Sequence, residues 1–265
     1  GATLDVTDIV DTVGALGGAG NVLLGLGTLS IGATDADDTF SGVISGVGGA
    51  IVKLGTGTQT FSGINTYTGG TFVNGGVLQV NQSENLGALG TLLSFDGGTL
   101  NSTASFSMIR GISLEAGGGA IDVDNGTVLD ASGNITGPGS LTKIGGGELV
   151  LSGFSTYLGG TTVNAGVVEI GSAVNLGSTA GGLALDGGTL RTTANITTSR
   201  TTALGPGNGT FDVNAGTTLT LSGAISDVGS LFKQGAGVLA LTTANTYTGN
   251  TNVFDGTVRV NTGNR

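Results

Sequence analysis

The sequence predicts an all-β fold built as a solenoid. Three observations carry that prediction: a 90-residue internal repeat, period-two alternation of apolar residues, and glycine-rich corners with no helical periodicity between them. The repeat is anchored on "NTYTGGT" at 65–71, "STYLGGT" at 155–161 and "NTYTGNT" at 245–251. Their tyrosines, Tyr67, Tyr157 and Tyr247, are the only three in the chain, with 157 − 67 = 90 and 247 − 157 = 90. Lys53, Lys143 and Lys233, the only lysines, fall into the same register, and "DGGTL" recurs at 96–100 and 186–190.

The strands come first. After each tyrosine, Val73, Val163 and Val253 correspond, as do Leu78, Val168 and Val258, and Val80, Ile170 and Val260. Between the last two sets stand Gln79, Glu169 and Arg259, so one position tolerates neutral, negative and positive side chains while its neighbours stay apolar. That is a strand with one face buried and the other in solvent. The nine valine, leucine and isoleucine positions are the expected core ladder. The preceding strand places Phe61, Leu151 and Leu241 inward, and there Gln59 stands where Leu149 and Leu239 do.

The corners come next. "TGGT", "NGG", "DGG" and "NAG" supply the positive-φ conformations of tight turns. Tyr67-Thr-Gly69-Gly70, Tyr157-Leu-Gly159-Gly160 and Tyr247-Thr-Gly249 read as structural corners, each a packed ring followed by a turn into the next strand. Four coils of roughly 22 residues fill one period, which makes about 12 coils in the chain and a rod of roughly 55–60 Å. The chain divides into atypical N-terminal coils at 1–48, a first repeat at 49–138, a second at 139–228 and a partial third at 229–265. On this spacing the three lysines form a row about 19 Å apart and read as solvated charges.

Composition narrows the function. There are 55 glycines, 2 prolines, 38% apolar and 10% charged residues, which is the balance of a folding chain. Eight Lys and Arg at a net charge of −10 cannot form the basic stripe that nucleic acid requires. The absence of cysteine and histidine removes disulfides, thiolate and His-based catalysis and His-ligated metals. The uncharged stretch from Val13 to Thr34 carries seven glycines and is read as strand, so no embedded membrane segment is expected, and no basic n-region marks a signal peptide.

The unit "GSLTKIGGGELVLSGFSTYLGGTTVNAGVVEI", 139–170, with its counterparts at 49–80 and 229–260, resembles the passenger-associated transport repeat of bacterial autotransporters. The resemblance lies in the Lys-x-Gly-x-Gly entry, the Asn-Thr-Tyr-Thr-Gly-Gly-Thr corner and the Val-Asn-x-Gly strand. It implies a right-handed parallel β-helix at a Gram-negative cell surface or released from it, with a C-terminal translocator barrel in the full-length protein. The chain would then be a fragment of a passenger. Asn250 replaces the second corner glycine in the third copy and puts the shape of that corner in question.

A structural stalk that spaces a functional region from the cell is therefore expected, with no enzyme activity, catalytic residue, metal or cofactor. An adhesin module contacting host matrix, glycan or a second copy through a solenoid face is the alternative, with 1–48 as its best region. A polysaccharide-acting enzyme stands third. Its chemistry needs two carboxylates about 5–9.5 Å apart, and the densest acids are Asp35, Asp37 and Asp38, then Asp122 and Asp124, then Asp5, Asp8 and Asp11. Asp122 recurs as Asp212, which argues for a solvated strand face rather than a unique centre. "GGGAIDVDN" lacks the spacing of the calcium nonapeptide.

Overall fold

The computed structural model describes residues 1–261; the end of the third repeat, 262–265, lies outside the described residues. Among the described residues there are 32 short strands and two 3₁₀ turns. The strand pairings are parallel, between residues 18 to 23 positions apart, as in Val10↔Thr28 and Ile112↔Ile135. The structural unit is thus a coil of about 21 residues, wound about 12 times into a β-solenoid.

Each coil lays strands on three faces. Face one begins with a three-stranded sheet from Thr3–Asp5 to Val43–Ser45 and resumes as eight strands from Phe106–Met108 to Thr251–Val253. Face two holds seven strands from Val10–Val13 to Ile135–Thr136, then four from Ile196–Thr198 to Thr257–Val260. Face three is one ten-stranded sheet from Asp38–Phe40 to Ile225–Ser226.

The pairing corrects the expected phase of the repeat. From Ile51, four coil steps lead along face two through Thr71, Leu93 and Ile112 to Ile135. Leu141, the repeat equivalent of Ile51, lies one face further on, in the ten-stranded sheet, and Leu231 lies in the eight-stranded one. Ninety residues therefore span four coils and a third, because the coil holds about 21 residues rather than 22. Successive repeats wind around the rod, and the lysines do not form a row along one face.

The core is a continuous column. Val73, Leu78, Val80, Val163, Val168 and Ile170 are at most 1% exposed. Val258 is partly buried, whereas Val253 and Val260 are 50% and 52% exposed. The last two depart from the expected ladder because they lie on the last described strands of their faces. Gln59 does enter the core. Its Nε2 donates to the Leu16 and Asp38 carbonyls at 2.8 and 3.2 Å, and its Oε1 accepts from the Leu16 N–H at 3.3 Å. A buried amide so bonded costs little and ties the strand-free 14–17 segment to the column.

Candidate functional site: the repeated tyrosine clasp and the outer faces

The tyrosine corners replace a strand on one face each. Thr66 N–H donates to the Ile44 carbonyl on face one, Thr156 to Ile135 on face two and Thr246 to Ile225 on face three. Each ring turns inward, and its hydroxyl pairs with the threonine four residues on: Tyr67 with Thr71 at 2.6 Å, Tyr157 with Thr161 at 2.5 Å, Tyr247 with Thr251 at 2.5 Å. Tyr67 and Tyr157 are wholly buried. Burial pushes the Tyr157 phenol up to about 12, against the opposing effects of Thr161 and Arg200, and it raises Tyr67 likewise.

The glycines make the corner possible. A Cβ at Gly69, Gly159 or Gly249 would strike the backbone of the coil before it, at Gly48, Gly139 or Gly229. Gly70 and Gly160 turn at φ +100° and +84°, a region costly for a side chain. Asn250 stays out of that region, so the third corner has a different backbone.

One coil later a 3₁₀ turn closes over the ring: Ser83–Leu86 over Tyr67, Ala173–Leu176 over Tyr157. Asn85 and Asn175 hold these turns by accepting the N–H of Gln82 and Ser172, at 3.1 and 2.8 Å, and by donating to the Gly63 and Gly153 carbonyls. Gly87 and Gly177 follow at positive φ, where a Cβ would meet the tyrosine rings. A second coil brings Arg110 and Arg200, 1% and 2% exposed. Arg110 donates to the Ser83 and Leu86 carbonyls at 2.7 and 3.0 Å and to Thr91 Oγ1 at 2.7 Å. Arg200 donates to Ala173 and Ser178 at 3.1 Å each and to Gly177. These arginines satisfy the free carbonyls of the turn. Sequence reading passed over them, although 200 − 110 = 90 placed them in the repeat.

The lysines overturn the expectation of solvated charges. Lys53, Lys143 and Lys233 are 0% exposed. Lys53 Nζ donates to the Leu54 and Gly75 carbonyls, Lys143 Nζ to Ile144 and Gly145, and Lys233 Nζ to Gln234, Gly235 and Asp255, at 2.5 to 3.3 Å. Each lies two residues beyond an inward Ile51, Leu141 or Leu231, so alternation itself turns it inward. The ammonium binds carbonyls that a tight glycine corner leaves pointing into the coil. Burial lowers all three, Lys143 to about 8 against the pull of Asp122.

Five of the eight basic residues are thereby internal. A sixth, Arg191, lies on face one between Glu148 and Asp212, at 2.9 and 3.0 Å, with Glu169 at 3.6 Å. The outer surface consequently presents carboxylates with few cations, the reverse of what a polyanion binds. Five of the eighteen acids are corner staples. Asp8, Asp35, Asp37, Asp96 and Asp186 each accept a backbone N–H from the next coil, at Leu26, Thr56, Thr58, Gly117 and Gly207. Among the described residues no group of three or more carboxylates is placed to hold a metal ion, and no helix is long and apolar enough to cross a membrane. The concavities are shallow; one, of about 250 Å³, is walled by residues such as Thr162, Ala184, Ala203 and Ser226 on face three.

Comparison with known proteins agrees with this geometry. The passenger-associated-transport-repeat family matches at 51–80, 141–170 and 231–260, each match running from an inward residue two before the lysine through the tyrosine corner. The chain is similar to the adhesin BmaC autotransporter of Brucella suis biovar 1 (strain 1330), 38% identical over 150 residues. That similarity covers 54% of this chain and 4% of the much longer relative. No solved structure matches.

Proposed function

We propose that the chain, which carries three passenger-associated-transport repeats and is similar to an autotransporter adhesin, serves as a structural segment of a bacterial autotransporter passenger. In this reading it is a rod at the Gram-negative surface, or released from it, that spaces a functional region from the cell. The supporting observation is what the repeat conserves. Tyr67 and Tyr157, Lys53, Lys143 and Lys233, and Arg110 and Arg200 all point into the coil. These repeated tyrosines, lysines and arginines specify the scaffold and present no side chain to a ligand outside it. Stacked coils with one continuous core fold by neighbour addition, which suits a chain that folds outside the membrane once a translocator barrel has passed it.

One observation favours an adhesive surface on the same rod. Ile9, Leu26 and Val47 follow the face-one strands of three successive coils and are 48%, 71% and 81% exposed. They fall in the 1–48 region, and the relative's name is that of an adhesin. Binding of the labelled, folded protein to host cells, extracellular matrix and a neutral glycan panel tests both readings. Binding that disappears in an Ile9→Ser, Leu26→Ser, Val47→Ser variant makes the rod an adhesin. No binding from a folded, monomeric sample leaves the spacer.

A further inference from the structure

Face one turns into face two along an edge that the chain crosses about eleven times between 24 and 237, from 24–27 through 46–49 and 109–111 to 235–237. The one charged residue on this stretch of edge, Arg110, is buried in the first clasp. Asp8 and Asp11 lie before the stretch, and Asp255 and Arg259 beyond it. Leu26, Val47, Leu89, Ile109, Phe154 and Val174 stand out from it, 42% to 81% exposed. Face two continues the same character. Its outer row stacks Ser30, Val52, Phe72, Ser94, Ser113 and Thr136 coil on coil. Higher up it stacks Thr197, Thr220 and Ala240. Glu115 borders the row at its far margin, where its carboxylate accepts the Ser113 hydroxyl at 2.7 Å. The acids lie elsewhere on the rod. Asp130, Glu148, Glu169 and Asp212 are on face one and Asp122 is on face three. Asp96, Asp124 and Asp186 are on the other two edges.

From an uncharged side on a rod of net charge −10, we infer that face two and its edge with face one pair with the same side of a second copy of this chain. Two such rods repel each other, and the repulsion reaches about 8 Å at physiological salt. Meeting on the uncharged side, they bury exposed apolar side chains while the carboxylates of faces one and three stay turned to solvent. A two-fold axis lets the strip meet itself, which gives a closed pair. The area suffices. About eleven coils at about 4.8 Å make a strip about 50 Å long, and a face of three to four residues with its edge is about 15 Å wide. That is about 750 Å² on each copy, close to the roughly 800 Å² per partner of a specific interface. The inference goes beyond the spacer reading and requires no host ligand.

Sedimentation velocity of the whole folded chain between about 1 and 100 µM reads the pairing. Expected is a monomer that gives way to a dimer across that range. Raising salt from about 0.05 to about 0.5 M should strengthen the dimer, because screening relieves repulsion between the acidic faces while the strip has no charge pairs to lose. Val47→Glu with Phe154→Glu places carboxylates on the strip at side chains 81% and 61% exposed, so the coils keep their fold. That variant should weaken the dimer by about tenfold or more. Ile64→Glu with Val228→Glu adds the same charge on the edge between faces three and one, at side chains 58% and 60% exposed. It should leave the dimer within about twofold. A monomer throughout the range overturns the inference, as do equal weakening by both variants and a dimer that salt dissolves. No host molecule enters this readout, so rods that stay monomeric yet bind host cells sink the pairing and leave the adhesive reading standing.

Discussion

Replacing Arg200 by alanine tests whether the buried arginines are what closes a clasp. The guanidinium is 2% exposed and donates to three carbonyls, those of Ala173, Gly177 and Ser178. Each carbonyl left dry costs about 1–3 kcal/mol. Two effects reduce that sum. Water enters the space the side chain vacates, and the variant no longer buries a cation that has no carboxylate partner. The net loss should be about 2–4 kcal/mol, and because a coil is held mainly by its neighbours it should be concentrated in the second clasp. Hydrogen exchange reads this locally. Amides of Asn175 and Ser178, which bond the Ser172 and Tyr157 carbonyls, should exchange roughly 30- to 700-fold faster, the factor that 2–4 kcal/mol sets. The exposed Arg259→Ala is the comparison. Equal exchange in both variants would refute the clasp, and a loss of protection spread evenly from face to face would refute its local character.

Three other perturbations follow from the same geometry. Val168→Asp places a charge between Leu149 and Leu190 and should cost at least 4 kcal/mol, whereas Glu169→Gln on the outer side should change chemical denaturation by no more than about 1 kcal/mol. Tyr157→Phe deprives the buried Thr161 hydroxyl of its 2.5 Å partner and should lower stability by about 1–2 kcal/mol without unfolding the rod. Lys143 releases its proton near pH 8 in the fold and at 10.5 in the unfolded chain, so the unfolded state holds more protons between those values and stability should rise across that window. Lys143→Met should flatten the rise. Above pH 10 the sign reverses, since the buried Tyr157 keeps its proton to about 12 while the unfolded chain loses it.

Much of the fold was legible before any coordinates. Alternation around Gln79, Glu169 and Arg259 separated inner from outer positions, and the glycine corners marked each strand's end. The lysines were misread because a charge before glycine looks like a strand end, while their backbone bonds come from corner carbonyls that only the folded coil aims inward. The ion pairs of Arg191 leave no local sign in the sequence, because Glu148 and Asp212 are 43 and 21 residues away, two coils and one coil along the rod. The phase of the repeat could not be read from self-alignment. A shift of 90 residues superimposes tyrosines whether or not 90 is a whole number of coils, and only the strand register decides between the two.

That phase is the central structural claim, since it makes the repeats wind around three faces instead of lining one. The chain has no cysteine, so Thr66→Cys with Thr156→Cys gives two exposed, spin-labelled positions without background. Four and a third coils at about 4.8 Å separate them by about 21 Å along the axis, and a third of a turn adds a sideways offset of similar size. Electron paramagnetic resonance should then read about 30 Å. A distance near 20 Å would put both clasps on one face and contradict the account.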